Sequence, residues 1–222
     1  MGKIIWVRHG QASFLSENYD KLSDKGIEQA KALGRFWEST GMTFDKVYAG
    51  GLTRQQETAF HAYGKLEAHI LPAFDEHEGP VVMDGTHGGS FQPADDPEEM
   101  RRITRHYFRT YQQLTRQWIK EELSETFGAE PWTDFRSRVK AGFQEVLDRT
   151  GKGENIAIFT SGGTVAAAVG QVLGLAEEQT LELSWQVKNA SFTEFLYSSG
   201  RLTLNTFNET PHLALAGLQS MI

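Results

Sequence analysis

The chain has 222 residues, of which 39% are hydrophobic and 23% charged, and its formal net charge at pH 7 is -7. This length and composition are typical of a globular domain with a full core, and the acidic balance argues against a general nucleic-acid binder, whose surface would carry a basic face. Because the chain contains no cysteine, disulfides and thiolate chemistry are excluded.

The first third of the chain predicts alternating strands and helices. Lys3–Val7 is a short apolar run typical of a buried strand. Ser23 then precedes a helix whose apolar residues lie on one stripe and which Gly41 ends. Val47–Ala49 predicts a second strand and His69–Leu71 a third, with a helix between them.

The middle of the chain departs from this alternation. Residues 84–97 are rich in Gly, Asp and Pro, which predicts a long loop. Asp96 and Pro97 are typical of a helix start, and the apolar residues after them follow helical spacing to about residue 125. We therefore expect one domain over residues 1–222, with a loop and helical cap inserted at about 84–130.

The last third returns to alternation. Trp132–Thr150 predicts a helix, and Asn155–Thr160 a buried strand that leads into an apolar helix ending near Gly174. Ser191–Tyr197 and Arg201–Phe207 predict a hairpin. The whole pattern predicts a three-layer α/β/α fold with a mainly parallel central sheet.

Arg8, His9 and Gly10 stand where the first strand ends. In an open α/β sheet the carboxyl edge of the strands is where ligands bind. A histidine there, beside a fixed positive charge and before a residue that lets the backbone turn, is well placed to attack an anionic centre.

These three residues match the Arg-His-Gly signature of the histidine phosphatase superfamily, the group that includes cofactor-dependent phosphoglycerate mutase. Further segments resemble the family in the same order along nearly the whole chain. They are Leu22–Ala30, Gly50–Ala59, Leu71–Glu76, the strand into Ser161-Gly162-Gly163, and the tail from Asn189 to Leu213. The resemblance implies a phosphoglycerate mutase-like fold.

The resemblance also implies a mechanism, in which His9 attacks phosphorus in line and gives a phosphohistidine that water hydrolyses. For this the ring must be neutral, with its other N–H held by a carbonyl or carboxylate. Glu76 best matches the family's acid, which protonates the leaving alkoxide. Its neighbours Asp75, His77 and Glu78 are alternatives for that role.

A phosphomonoester is close to a dianion at neutral pH, so its pocket needs positive charge and many donors. Arg8 and Arg54 can supply both in bidentate geometry. Backbone amides of the turn at Ser161 and Gly162, at a helix N-terminus, add an anion site. We expect a small phosphorylated substrate or inorganic phosphate as partner, and neither a metal ion nor a cofactor.

Ser161 is the main departure from the family pattern, which has a second histidine there. Serine is a neutral donor, and by analogy with a lost oxyanion-hole donor the change costs about 2.7–4 kcal/mol of transition-state stabilisation. His87 or His77 are candidates to replace the missing charge. In addition, Leu15 stands where the family's mutases have an asparagine, which Asn18 could replace.

Two function classes therefore remain open. One is a phosphatase of small phosphomonoesters, and the other a family member that binds a phosphorylated ligand with little turnover. Phosphoglycerate mutase is less favoured, because it would need the second histidine. No apolar run approaches membrane-spanning length and no targeting segment precedes the first strand, so we expect a cytoplasmic protein without a membrane partner. The sequence leaves the natural substrate and the oligomeric state open.

Overall fold

A computed structural model describes residues 1–13, 20–65, 67–77, 96–120, 130–198 and 200–220. The chain forms two compact units. The first comprises Met1–Glu76 together with Arg138–Ile222, and the second comprises His77–Ser137. The single domain with an insertion at about 84–130 remains a prediction.

The first unit is built on a six-stranded sheet in the order β3-β2-β4-β1-β5-β6. Its strands are β1 (Gly2–Arg8), β2 (Lys46–Ala49), β3 (His69–Ile70), β4 (Asn155–Thr160), β5 (Phe192–Ser198) and β6 (Arg201–Glu209). The strands from β3 to β1 run parallel, and the β5–β6 hairpin joins β1 in antiparallel orientation. The predicted α/β fold with a mainly parallel sheet is confirmed.

The described helices are α1 (Asp24–Ser39), α2 (Thr53–Tyr63), α3 (Pro97–Ile119), α4 (Trp132–Asp148), α5 (Gly162–Leu173), α6 (Glu177–Ser184) and α7 (Pro211–Ala216). The sequence predicted the first five, with ends within a few residues where the structure describes them. It did not predict α6 and α7. Among the described residues, no helix combines the length and apolar character needed to cross a membrane.

Helices cover both faces of the sheet. On one face, buried residues of α1 and α2 pack against alternate residues of the central strands, among them Ile5, Val47 and Phe159. On the other face, the ring of Trp6 lies 5.0 Å from the ring of Phe143 on α4. Because strand side chains alternate between faces, this pattern places the sheet between two helical layers, as predicted.

The centre of the sheet brings the key segments to one edge. Arg8 pairs with Thr160 at the ends of the parallel strands β1 and β4, and the backbone N–H of His9 donates to the Thr160 carbonyl at 2.8 Å. His9 and Ser161 are therefore the residues that directly follow two neighbouring strands. Gly50 follows the next strand, β2, and its N–H donates to the Phe159 carbonyl at 3.0 Å.

The second unit has a small aromatic core. The Trp118 ring of α3 lies 5.1 Å from the Trp132 ring, and the Trp132 ring lies 5.6 Å from that of Phe135. Trp118 is one of the buried residues of α3 and packs in this aromatic core.

Candidate active site

His9 lies at the carboxyl edge of β1 and is only 4% exposed. Its Nδ1 lies 2.7 Å from the carbonyl oxygen of Gly10, and its Nε2 lies 3.1 Å from Nε of Arg54. The carbonyl can only accept a hydrogen bond and the guanidinium can only donate one. Both contacts therefore require the tautomer with the proton on Nδ1 and the lone pair on Nε2.

The surroundings of His9 keep its ring uncharged. Burial lowers the pKa of His9 well below its ordinary value of 6.5, and the charges of Arg54 and Arg8 lower it further. The hydrogen bond to the Gly10 carbonyl acts in the opposite direction but is outweighed. The imidazole is therefore a neutral potential nucleophile at neutral pH.

Gly10 is fixed in place by its neighbours. Its backbone N–H donates to Oγ1 of Thr58 on α2 at 3.0 Å. A Cβ at this position would lie 2.5 Å from the carbonyl oxygen of Gly26. Because that neighbour is backbone and cannot move aside cheaply, a side chain at position 10 would displace the carbonyl that holds the His9 ring.

Arg54 lies in the first turn of α2 and is 7% exposed. Its Nη1 forms an ion pair with Asp20 at 2.8 Å. Asp20 also accepts a hydrogen bond from the backbone N–H of Thr53 at 2.9 Å. The N-cap residue of α2 is Leu52, whose side chain has no acceptor, so Asp20 satisfies this helix start from elsewhere in the chain.

Asp20 is a residue that the sequence reasoning missed. Burial opposes its ionisation, but hydrogen bonds from Thr53 and the charge of Arg54 outweigh it and lower the pKa of Asp20. The carboxylate is thus charged at neutral pH beside the arginine that contacts His9. Nothing in the spacing of Asp20 along the chain indicated this contact with α2.

Arg8 approaches the same region from the end of β1. Its Nη1 donates to the carbonyl of Val187. The side chain runs past the start of α5, since a Cβ on Gly162 would lie 3.6 Å from both Cδ and Nε of Arg8. Arg8 directly precedes His9 in the chain, and its charge lowers the pKa of that histidine.

Ser161 is fully buried at the N-cap of α5. Its Oγ accepts a hydrogen bond from Nε2 of Gln55 at 2.8 Å, and the same amide nitrogen lies 3.2 Å from the carbonyl of Phe74. A Cβ on Gly50 would lie 2.0 Å from Oε1 of Gln55. Gln55, which the sequence reasoning also missed, therefore occupies the space between Gly50 and Ser161.

Glu76 contacts the turn that was predicted to bind an anion. Its Oε2 accepts a hydrogen bond from the backbone N–H of Gly163 at 3.1 Å. Gly163 is in the first turn of α5, next to Gly162. The Gly163 amide is thus engaged by the candidate acid, while the predicted anion site at Ser161 and Gly162 stays a prediction.

Arg138 of α4 fixes the segment that carries Glu76. Its guanidinium donates hydrogen bonds to three backbone carbonyls of that segment, those of Ala73 at 3.1 Å, Asp75 at 2.9 Å and Glu76 at 3.1 Å. The Asp75 carboxylate accepts from the backbone N–H of Gly51. Burial raises the pKa of Asp75, against the opposing effects of that bond and of the Arg138 and Arg54 charges.

His77 and His87 are the side chains predicted as substitutes for a second histidine, and His77 belongs to the second unit. Nε2 of His77 is 3.1 Å from the hydroxyl of Tyr111, and the His77 ring lies 4.6 Å from that of Trp118, all within the second unit. His87, Leu15 and Asn18 fall outside the described residues. Within the described ranges, no group of three or more His, Asp or Glu residues is arranged to hold a metal ion.

The comparison with protein families agrees with this geometry. A profile of the Histidine phosphatase superfamily (branch 1) matches residues 4–210. The chain belongs to this superfamily, because the match extends from β1 to the residue before α7.

Solved structures share the same fold. The alpha-ribazole phosphatase from Shigella flexneri is 20% identical, with a TM-score of 0.65, and the match covers 93% of this chain and 96% of that one. A phosphoglycerate mutase from Bacillus anthracis is 18% identical, with a TM-score of 0.66 and coverages of 96% and 95%. The phosphoserine phosphatase from Entamoeba histolytica, in complex with 3-phosphoglyceric acid, is 22% identical, with a TM-score of 0.62 and coverages of 96% and 100%.

Proposed function

We propose that the protein is a phosphatase of small phosphomonoesters and that it acts through a phosphohistidine on His9. The observation that carries this proposal is the pair of contacts that His9 makes with the Gly10 carbonyl and with Nε of Arg54, from which its tautomer follows. A neutral ring whose Nδ1–H is held by the Gly10 carbonyl presents the Nε2 lone pair on the side of Arg54.

In the first step, Nε2 of His9 attacks phosphorus while the bond from phosphorus to the ester oxygen breaks. The ring then carries phosphoryl on Nε2 and keeps its proton on Nδ1, where the Gly10 carbonyl stabilises the positive charge that develops. Arg54 and Arg8 would bind the phosphoryl oxygens, because a planar guanidinium suits them better than an ammonium group does. The leaving oxygen takes a proton from an acid.

Glu76 is our candidate for that acid. Its carboxyl group lies at the start of α5, at the sheet edge where His9 and Ser161 follow neighbouring strands. In the second step, the carboxylate would take a proton from water as the water oxygen attacks phosphorus. The bond from phosphorus to Nε2 breaks, inorganic phosphate leaves, and His9 returns to its neutral form.

The family membership and the structural relatives support this substrate class. Relatives of the same fold include two phosphatases, one of them in complex with 3-phosphoglyceric acid. Phosphatases and a phosphoglycerate mutase share the fold, so the fold alone does not distinguish hydrolysis from phosphoryl transfer. We favour hydrolysis because Ser161 replaces the second histidine that a mutase needs.

The second candidate is a protein that binds a phosphorylated ligand with little turnover. Ser161 favours this alternative, because its neutral hydroxyl, held by Gln55, cannot supply the charge of a second histidine. Both candidates share the two arginines and differ only in whether phosphorus is transferred to His9.

The test compares hydrolysis of p-nitrophenyl phosphate by the wild type and by His9→Ala. His61→Ala, on the last turn of α2, is the matched control. We expect turnover in the wild type and in the control, and its loss in His9→Ala. Equal turnover in all three proteins would contradict the mechanism, whereas phosphate binding by calorimetry without any turnover would favour the binding function.

A further inference from the structure

We propose that Asp20 is a positioning residue that sets the guanidinium of Arg54 against His9. This inference rests on the proposed phosphatase function and deepens it. The Asp20 carboxylate lies beside Arg54, where a simple anion-binding pocket would have only positive charge.

The contacts of Asp20 define two functions for one carboxylate. Oδ2 accepts from the backbone N–H of Thr53 at 2.9 Å, and Oδ1 lies 2.8 Å from Nη1 of Arg54 and 3.4 Å from its backbone N. The same group thus holds both the start of α2 and the tip of a side chain that belongs to α2. Because both ends of Arg54 are tied to Asp20, its guanidinium has little freedom to rotate.

The orientation that results is directed at the nucleophile. With Nη1 on Asp20, Nε of Arg54 donates to Nε2 of His9 at 3.1 Å. A guanidinium is planar, so fixing Nη1 on one partner also fixes the plane in which its other nitrogens lie. The in-line transfer proposed here depends on where those nitrogens meet the phosphoryl oxygens.

The negative charge of Asp20 also opposes the binding of an anionic ligand. Asp20 is ionised, because its pKa is lowered, and it lies beside a site that would bind a dianion. Arg54 is 7% exposed, and a buried guanidinium without a charged partner is strongly destabilising. Asp20 therefore stabilises and orients Arg54 while it weakens the attraction of the site for phosphate.

These two effects predict opposite changes when the charge is removed. Asp20→Asn keeps an oxygen that can accept from Thr53 but loses the ion pair with Arg54. We expect kcat to fall by about tenfold to a hundredfold, because a misplaced group costs rate even where binding survives. We expect KM for p-nitrophenyl phosphate and the Kd for inorganic phosphate to fall several-fold, because a nearby negative charge is gone.

The experiment measures kcat, KM and the calorimetric Kd for inorganic phosphate in the wild type and in Asp20→Asn. Asp24→Asn is the control, since it removes the same charge from the exposed first turn of α1. A lower kcat with tighter phosphate binding in Asp20→Asn alone supports the proposal. A general loss of stability would weaken phosphate binding, so this split distinguishes positioning from a merely structural role.

Asp20→Glu keeps the inference testable if Asp20→Asn does not fold. It retains the charge but moves the carboxylate by one methylene, so we expect a lower kcat without tighter phosphate binding. Suppose that the wild type is active. The proposal is then overturned, while the phosphatase function stands, if kcat and the phosphate Kd are unchanged in Asp20→Asn or if kcat is unchanged in Asp20→Glu. A wild type that neither turns over nor binds phosphate would overturn both.

Discussion

Nε of Arg54 donates a hydrogen bond to Nε2 of His9 across 3.1 Å. The ring nitrogen proposed to attack phosphorus is therefore already in contact with a group proposed to bind the phosphoryl oxygens. For attack, the lone pair of His9 must exchange this N–H for phosphorus, and the N–H then donates to an incoming phosphoryl oxygen while Asp20 keeps Nη1 of Arg54 in place. The arginine thus has two successive partners, and its geometry matters as much as its charge.

Arg54→Lys tests this dependence on geometry. Lysine keeps the charge but lacks the planar set of donors, so we expect kcat/KM for p-nitrophenyl phosphate to fall by about a hundredfold or more. Arg102→Lys is the control, because Arg102 is exposed on α3 and pairs with Glu99. Steady-state kinetics that show full kcat/KM in Arg54→Lys would mean that charge alone is sufficient at this position.

Glu76→Gln tests the assignment of the acid. An alkyl leaving group needs a proton and p-nitrophenolate does not, so we expect kcat/KM for an alkyl phosphate to fall by about 10² to 10⁴ and kcat/KM for the aryl phosphate far less. The comparison uses kcat/KM because this ratio reports the transfer to His9 and not the later hydrolysis, in which Glu76 is the proposed base for both substrates. Asp75→Asn is the matched variant, because burial raises the pKa of that neighbouring carboxyl group. If the dependence on leaving group is found in Asp75→Asn instead, Asp75 is the acid.

Ser161→His tests whether the missing charge limits the rate. We expect phosphatase activity to rise, by up to about 10² to 10³ if one charged contact is restored. The Gln55 amide lies 2.8 Å from the Ser161 hydroxyl, so a larger side chain needs that space. The double variant with Gln55→Ala should therefore gain more than Ser161→His alone.

Thermal unfolding of Ser161→His and of the double variant with Gln55→Ala checks that both proteins are folded. No gain in either variant, although both are folded, would show that another group supplies the charge or that the protein is a binder. A gain in the single variant equal to that in the double one would show that Gln55 does not restrict position 161.

The buried His212 should make the folded protein less stable in acid. It is 5% exposed, its Nε2 donates to the Ala190 carbonyl at 3.0 Å, and burial lowers its pKa to about 4. The unfolded state binds the His212 proton more tightly than the folded state does. The stabilisation that the neutral, buried His212 gives to the folded state is therefore complete above pH 6.5 and declines as the pH falls from 6.5 towards 4. The decline is roughly 2 to 3 kcal/mol in the free energy of unfolding by pH 4.5.

His212→Gln keeps a donor for the Ala190 carbonyl but does not titrate. We expect the wild type to lose stability relative to this variant between pH 7 and pH 4.5, measured by urea unfolding at each pH. His9, whose pKa is also lowered, is present in both proteins, so its effect cancels in the difference. Parallel stability curves for the two proteins would contradict the assignment.

Local signals in the sequence predicted most of the fold. The side chain of Ser23 accepts a hydrogen bond from the Gly26 amide at 3.1 Å and caps α1, and Gly174 ends α5 with φ of 67°. Such residues act on their immediate neighbours, so their effect can be read from spacing alone. The apolar runs of β1 and β4 likewise predicted buried strands because they have no polar face.

Contacts between distant residues could not be predicted in this way. Asp20 forms an ion pair with Arg54, and Gln55 donates a hydrogen bond to Ser161. Arg138 donates hydrogen bonds to the backbone carbonyls of Ala73, Asp75 and Glu76. Each of these contacts joins side chains or backbone groups from separate elements, and no periodic pattern marks either partner. They determine the orientation of the candidate site, whereas the family motif predicted only which residues would be there.

Trapping the intermediate tests the central proposal most directly. The wild type is mixed with p-nitrophenyl phosphate labelled on phosphorus and quenched within the first turnover, and labelled peptides are then mapped. We expect acid-labile phosphate on the peptide that contains His9 and none in His9→Ala. Product release without labelled His9, or acid-stable label on Ser161, would contradict the phosphohistidine mechanism.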